Sequence, residues 1–424
     1  MTIERNGEFW DTWLRVAEQR DRDDPERWIP NRFFPVPGLY FDGNSLGLMA
    51  RAVPDVVHQV LTEWRQDAVL AWGMGPSPWH SRVESVSRRL APLFGAEAGH
   101  ITLLPSTTVA LHQALATFYH PSPGRFRIVM DAGAFPTDRY VVESHLRLHD
   151  QPMSALTIVE GDQDGLLDPA RLERALTPEV AVMLLPSVVY TTGQALPIDR
   201  LSHAAHRAGA ASVWDLCHTA GLMPHSLVDD GVDAAVFCTY KYLSGGPGAP
   251  AGLFMHPKWL PPRPGLGGWW GSDKHRQFLM EPHEAVAEDA GGLQLGTPSM
   301  LALAPLEATL PIFEEAGMAA VWDRSQQLLA LLDDVVDAAL PGLGFRPVRP
   351  AMRGGHLALR HPSALAESLS LRGRRVVVDY RPPDILRLCP SPLTTRFVDV
   401  VELVRALSLA ADVPPETVTA PSVV

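Results

Sequence analysis

The sequence predicts an α/β protein: a large domain built on a mostly parallel sheet, followed by a smaller α+β domain. Three observations predict it. From about residue 100 to 256, short runs that are apolar throughout alternate with helical stretches, as in strands covered on both faces. Two of those runs end in polar residues, Asp215 and Lys241. After Thr297-Pro298 the pattern turns helix-rich and then returns to strand-like runs.

Taken in order, residues 1–50 are rich in Trp, Pro and Asp with weak periodicity, and read as an extended N-terminal segment packing with the small domain. The large domain is expected over 51–298 and the small one over 299–424. Its first helix carries Val53, Val56, Val57, Val60, Leu61 and Trp64 on one face, with Pro54 tolerated in the first turn. A second helix carries Val83, Val86, Leu90 and Phe94. Strands follow at Arg127–Asp131, Leu156–Val159, Val180–Leu185, Ser212–Asp215, Ala234–Thr239 and Gly252–Met255, and the helix Ile198–Gly209 closes on a glycine. The small domain should hold helices Leu301–Glu315 and Ala319–Ala339, strands Val376–Asp379 and Ile385–Cys389, and a last helix near Phe397–Leu409.

Composition narrows the function. The chain has 424 residues and a formal net charge of −12, which disfavours a protein whose affinity comes from neutralising phosphates; nucleic acid and anionic membrane are set aside as partners. Cys217, Cys238 and Cys389 are too scattered for a disulfide framework or a zinc site, so no metal is expected and a reducing cytoplasm fits best. The start Met1-Thr2-Ile3-Glu4-Arg5 lacks the basic and apolar regions of a signal peptide. Only three of the 36 basic residues are lysines: Lys241, Lys258 and Lys274. A lysine nucleophile must be one of them. Lys258 lies in a loop rich in Pro and Gly and Lys274 in a polar stretch, so both read as surface charges.

Ligands of open α/β sheets bind beyond the carboxyl ends of the strands, which puts Asp215 and Lys241 at one crevice. A carboxylate and an amine there suit pyridoxal 5'-phosphate (PLP), the lysine bonding the cofactor and the aspartate holding the pyridine nitrogen protonated. An ordinary interior ion pair is the other reading. Pro105-Ser106-Thr107-Thr108 opens a helix through Phe118, offering hydroxyls and free N–H groups to a phosphate, or merely a cap. Gly245-Gly246-Pro247-Gly248 allows close backbone approach or a plain loop. His218 could stack on or bond a ring, and Trp269-Trp270 between glycines could wall an aromatic ligand or fill core. Arg387, in a buried strand, needs an anion: a substrate carboxylate or an internal salt bridge.

The combination resembles the kynureninase family, PLP-dependent hydrolases with the PLP-dependent transferase fold of aspartate aminotransferase. The resemblance runs from Asp42-Gly43-Asn44-Ser45-Leu46-Gly47 to Arg387-Leu388-Cys389-Pro390-Ser391-Pro392-Leu393. Its most specific block is Tyr240-Lys241-Tyr242-Leu243-Ser244-Gly245-Gly246-Pro247-Gly248-Ala249-Pro250. Trp214-Asp215-Leu216-Cys217-His218, Phe135-Pro136-Thr137-Asp138 and Gly296-Thr297-Pro298-Ser299 are also similar.

The resemblance implies hydrolysis of L-kynurenine, or of a ring-substituted kynurenine, to anthranilate and L-alanine. Lys241 is implied as the lysine that bonds the cofactor, Asp215 as the pyridine partner and His218 as its neighbour. Phe135 and Asp138 are implied at the cofactor, and Thr107, Thr108, Ser187 and Tyr240 at the cofactor and its phosphate. Trp269 and Thr297 would reach the phosphate from the second subunit of a homodimer with shared active sites. Arg387 matches the arginine for the substrate α-carboxylate; Asn44 and Trp72 are read as substrate-facing. Trp72 and Thr297 stand where animal members that prefer 3-hydroxykynurenine carry histidine and asparagine, the bacterial pattern. The motif Gly268-Trp269-Trp270-Gly271 departs by ending in Ser272 where histidine is usual. Catalysis is expected to need Lys241 as a free amine, its pKa lowered by burial and nearby positive charge, with Tyr240 helping to protonate the product carbon. A cysteine desulfurase or selenocysteine lyase using Cys389, and an aminotransferase, are the rivals on the same fold.

Overall fold

The structure, a computed structural model, describes residues 6–410. The Met1–Arg5 start and the end of the expected 299–424 segment lie outside the described residues. The chain begins with helix α1 (Gly7–Asp23), the short strand β1 (Leu39–Tyr40), and helices α2 (Val53–Asp67) and α3 (Arg82–Leu90). The expected extended N-terminal segment is thus corrected to a 17-residue helix. Asn6 caps it, accepting from the N–H of Phe9 at 3.1 Å. It buries only Trp10 and Ala17, too narrow an apolar stripe for strong periodicity.

Strands β2 (Ile101–Leu104), β3 (Arg127–Asp131), β4 (Leu156–Val159), β5 (Val180–Pro186), β6 (Ala211–Asp215), β7 (Ala234–Phe237) and β8 (Ala251–Met255) form a seven-stranded sheet in the order β2-β8-β7-β6-β5-β3-β4. From β7 to β4 neighbouring strands are parallel, while β8 runs antiparallel to both β2 and β7. The connections carry helices α4 (Thr107–Phe118), α5 (Pro136–Leu148), α6 (Pro169–Ala175) and α7 (Ile198–Ala208), the last closed by Gly209 at φ +78°.

Successive strand residues feed two cores. Ile128, Met130, Val182, Leu184, Val213 and Val236 pack under α4 and α5 with Leu111, Leu115 and Val142. Val129, Met183, Leu185, Trp214 and Phe237 face the opposite layer with Leu201. Because side chains alternate between faces, a strand that is apolar at every position needs a cover on both.

Beyond the sheet come α8 (Met300–Ala316), α9 (Met318–Ala339), β9 (Arg346–Val348), β10 (Leu357–Arg360), α10 (Ala364–Gly373), β11 (Val376–Val377), β12 (Asp379–Arg381), β13 (Ile385–Leu388) and α11 (Phe397–Ala410). A separate core joins Leu328, Leu332, Leu386 and Val404 to Trp10, Ala17 and Phe41 from the N-terminal segment. The single strand expected over Val376–Asp379 is two: β11 pairs with β1, and β12 joins the four-stranded sheet β12-β13-β10-β9.

Candidate active site

The carboxyl ends of β5, β6 and β7 sit side by side, with Pro186 in register with Asp215 and Asp215 with Val236. Asp215 is buried, and its Oδ1 accepts from the Cys217 N–H at 2.7 Å. Ser187 fixes the backbone there: its N–H and its hydroxyl both donate to the Asp215 carbonyl, at 2.8 and 3.0 Å. Ser187 therefore supports Asp215 from behind and does not line the crevice. Strand β7 ends at Phe237, so Lys241 stands in the turn beyond the strand rather than at its last position. That turn is tied down by the N–H of Ser244 on the Lys241 carbonyl and the N–H of Gly47 on the Tyr240 carbonyl.

These elements wall a cavity enclosing about 780 Å³ of empty space, part of it open to solvent. Its lining includes Thr107, Thr108, Phe135, Asp138, Asp215, His218, Tyr240 and Lys241, eight of the residues expected from sequence. Lys241 Nζ lies 3.1 Å from His218 Nε2 and 5.9 Å from the Phe135 ring centre. Thr107 and Thr108 form the first turn of α4, capped by Ser106, so the positive end of a 12-residue helix faces the cavity. Phe135 and Asp138 come from the start of α5.

Burial, reinforced by the charges of Asp215 and Asp131, raises the Asp138 carboxyl well above the usual range. Burial likewise lifts Asp131 to about 7. Burial and the adjacent Lys241 hold the His218 imidazole well below its ordinary pKa, hence neutral and able to accept from the lysine. For Lys241 the expectation is corrected. Burial pulls its amine down as expected, but the negative field of Cys238, Cys217 and Asp215 more than reverses this and raises it. Lys241 is thus held as an ammonium. Burial, followed by the influence of Cys238 and Cys217, raises the Tyr240 phenol, which remains a proton donor.

The other expected residues stand apart. Trp269 is exposed in a cleft with Ser272 and Gln277, and Thr297 lines a cavity beside Pro105 and Gly248. Trp72 packs edge-on against Trp79 and Trp270, at 5.5 and 5.3 Å, and does not line the Lys241 cavity. Arg387 is buried behind Tyr190, its guanidinium 5.7 Å from that ring. It pairs with Asp379, as an internal salt bridge would, and also donates to the Tyr190 carbonyl at 3.0 Å and to Ser45 Oγ at 3.2 Å. A guanidinium carries five N–H groups, so two remain for a ligand. Asn44 is fully buried, and its amide has no hydrogen-bond partner among the described residues. Lys258 is a partly exposed charge on Asp233, at 2.6 Å. Lys274 is not the surface charge expected: it is half-buried, 4.4 Å from the Trp270 ring centre, donates to the Trp270 carbonyl and pairs with Glu84.

Sequence reasoning missed Tyr190, Val188 and Cys217 in the cavity wall. The first two follow directly on the end of β5, and the same carboxyl-end rule that found Asp215 could have found them.

The residues present fit PLP. The buried Asp215 carboxyl, whose charge raises Asp138 and Asp131, suits a protonated pyridine nitrogen, a helix N-terminus with two threonines suits a phosphate, and a lysine and an aromatic face border the space between.

Comparison with known proteins accords with this fit. The family model for the class-V aminotransferases matches residues 40–359, and that for the kynureninase C-terminal domain matches 321–407. A kynureninase of Geobacillus thermodenitrificans is 38% identical over 399 residues, 93% of each chain. One of Xanthomonas axonopodis pv. citri is 40% identical over 416 residues, covering 93% of this chain and 98% of its own. Among solved structures, the Escherichia coli cysteine desulfurase CsdA superposes with a TM-score of 0.74 at 19% identity, over 91% of this chain and 98% of its own. A C-DES mutant with glycine covalently linked to its PLP cofactor gives 0.73 at 18%, over 88% of this chain and 97% of its own. At such identities these two share the fold alone.

Proposed function

The chain belongs to the kynureninase family, and from that membership we propose how its residues divide the work of the reaction. It is a PLP-dependent hydrolase that cleaves a carbon–carbon bond of kynurenine. PLP supplies a covalent attachment point for the substrate amine and an electron-withdrawing ring that stabilises negative charge on the substrate carbons.

Lys241 would hold the cofactor, and its amine, once free, would take the proton from the substrate Cα. His218 accepts a hydrogen bond from its Nζ and aims it. Asp215, fixed by Ser187 and the Cys217 N–H, would keep the pyridine nitrogen protonated. The N-terminus of α4, with Thr107 and Thr108, would hold the phosphate, and Phe135 and Asp138 would border the ring. Arg387 offers its two uncommitted N–H groups to the substrate carboxylate, beside the unpartnered amide of Asn44. Water adds to the γ-carbonyl, anthranilate leaves, and Tyr240, kept protonated by its burial, supplies the proton that makes alanine.

A homodimer completes the reading. Trp269 and Thr297 lie off the chain's own cavity and are assigned to the partner's phosphate. Exposed Val69, Leu70, Phe278, Leu279 and Met280 supply apolar surface for such an interface. Residues 51–298 and 299–424 act as large and small domains, with 1–50 joined to the latter. No helix among the described residues is long and apolar enough to cross a membrane, and the three free cysteines support work in a reducing cytoplasm. Trp72 in place of histidine favours a substrate unsubstituted at ring position 3.

The observation that carries this reading is the 3.1 Å contact of Lys241 with His218 inside a cavity also walled by Asp215 and the start of α4. A desulfurase role is disfavoured because burial pushes the Cys389 thiol up to about 12, far from a nucleophilic thiolate. Parallel assays of the purified protein with L-kynurenine and 3-hydroxy-L-kynurenine test it, with sulfide release from cysteine as the counter-assay. Anthranilate appearing faster than its hydroxylated counterpart is expected. Sulfide without anthranilate would overturn the assignment.

A further inference from the structure

Cys217 lines the active-site cavity two residues after Asp215, and Cys238 lies behind it, buried and outside the cavity wall. The two are neighbours across the ends of β6 and β7. Register pairs Asp215 with Val236, the N–H of Leu216 donates to the Val236 carbonyl at 2.7 Å, and the cysteines stand two residues after each of this pair, just past the strand ends. The N–H of Cys238 donates to Cys217 Sγ at 3.1 Å, and the Cys238 thiol reaches the Cys217 carbonyl at 3.8 Å. Thr107 Oγ1, on the proposed phosphate side, is 3.9 Å from the same Cys217 sulfur.

We infer that Cys217 and Cys238 are a reversible thiol-oxidation site whose disulfide takes the active site out of service. A peroxide entering the cavity meets Cys217 first. Its sulfur attacks one peroxide oxygen as the O–O bond breaks, and the thiol proton, which the contact with Cys238 and burial hold on Cys217, leaves with the departing oxygen as water or an alcohol, so that a sulfenic acid remains. The Cys238 sulfur then attacks the Cys217 sulfur and the S–O bond breaks. Its thiol proton and the departing hydroxide leave as water. Two thiols are oxidised and one peroxide reduced. Dithiothreitol reverses the bond.

The disulfide reaches the chemistry through the backbone. The Cys217 N–H holds the Asp215 carboxylate, and the Cys217 sulfur accepts from the N–H of Cys238, three residues before Lys241. Drawing the two sulfurs into a bond removes that acceptor and shifts Cys217. Both residues proposed to grip the cofactor are then displaced together.

The test treats the holoenzyme with hydrogen peroxide, blocks remaining thiols, and maps peptides without reduction. A Cys217–Cys238 peptide pair lighter by two hydrogens is expected, with Cys389 still blocked as a thiol. Turnover of the cross-linked fraction should fall by roughly a hundredfold, the scale of a 1 Å misplacement at a reacting centre, and return with dithiothreitol. In Cys238→Ala, or Cys238→Ser where alanine fails to fold, the cross-link and the dithiothreitol-reversible loss should both vanish relative to the untreated variant. Three blockable thiols after treatment would overturn the inference, as would a cross-link that leaves turnover intact. The peptide map does not depend on the assigned substrate, so failure of the site and failure of the kynurenine reading are distinguishable.

Discussion

The Lys241 ammonium donates to His218 Nε2 at 3.1 Å, and the imidazole can accept because burial and the lysine itself keep it neutral. The pair sets Lys241 apart from the other two lysines. Lys258 is engaged by Asp233 and Lys274 by Glu84 and Trp270, while Lys241 alone of the three lines the cavity beside Asp215.

Lys241→Ala should therefore lower turnover of L-kynurenine by about a thousandfold or more, the upper part of the range for general acid–base groups. The visible absorbance of the bound cofactor should shift as the covalent link is lost. Lys241→Arg should rescue neither, since a guanidinium stays protonated. Stopped-flow absorbance and anthranilate fluorescence on the same samples check both, and normal turnover in either variant would refute the assignment.

Asp215 and Lys241 were legible in the sequence because an apolar strand that ends abruptly in a charge advertises a sheet's carboxyl edge. So were the core strands β3, β5, β6 and β7, whose central residues are almost all apolar. What escaped had weaker signals. β9 is three residues with Pro347 inside, tolerated because it is an edge strand, and α1 buries two side chains only. Cys217 becomes a wall of the site through the folding of the β5 and β6 ends around Ser187, a tertiary relation no local pattern encodes, whereas Tyr190 follows the carboxyl end of β5 and was within reach of the rule that found Asp215. The sign of the Lys241 shift escaped because it depends on the balance between burial and the neighbouring Cys238, Cys217 and Asp215, and two of these three are brought beside Lys241 only by the pairing of β6 with β7.

Arg387→Lys should raise the KM for L-kynurenine by roughly ten- to a hundredfold, with kcat changed less, because an ammonium cannot reproduce the two N–H groups aimed at a carboxylate. Asp379 keeps a partner in Arg381 at 2.8 Å, so the variant should stay folded. Steady-state kinetics with a melting curve separates the outcomes. A lost fold with normal KM in the surviving fraction would mark Arg387 as a structural ion pair alone.

His225 gives a pH dependence distinct from catalysis. It is half-buried, stacked 5.8 Å from the Phe94 ring, and burial lowers its pKa to about 4. The unfolded chain binds this proton at about 6.5, so between 6.5 and 4 it holds more protons than the folded one and stability falls as pH falls. The window is worth on the order of 3 kcal/mol. Denaturant melts of wild type and His225→Phe at pH 7 and pH 4.5 should show a smaller acid loss in the variant. Equal losses would place the acid sensitivity elsewhere, in His145 or His356, whose pKa values burial also lowers.

Gly47 carries the contact between the N-terminal segment and the lysine turn. Its N–H donates to the Tyr240 carbonyl at 2.8 Å, and a Cβ there would sit 2.2 Å from Ser244 Oγ and 2.4 Å from the Lys241 carbonyl. The Ser244 hydroxyl can rotate away, but the carbonyl belongs to the backbone of the catalytic turn and cannot. Gly47→Ala should thus cost about 1–3 kcal/mol of stability, the usual range for overpacking, and displace Ser45 from Arg387. Because the clash is with Lys241 itself, cofactor retention on gel filtration should fall along with the melting temperature. Ser244→Gly in the same chain removes only the movable clash and should restore little of either. A Gly47→Ala protein with unchanged melting temperature and full cofactor content would show that the two segments do not need this close approach.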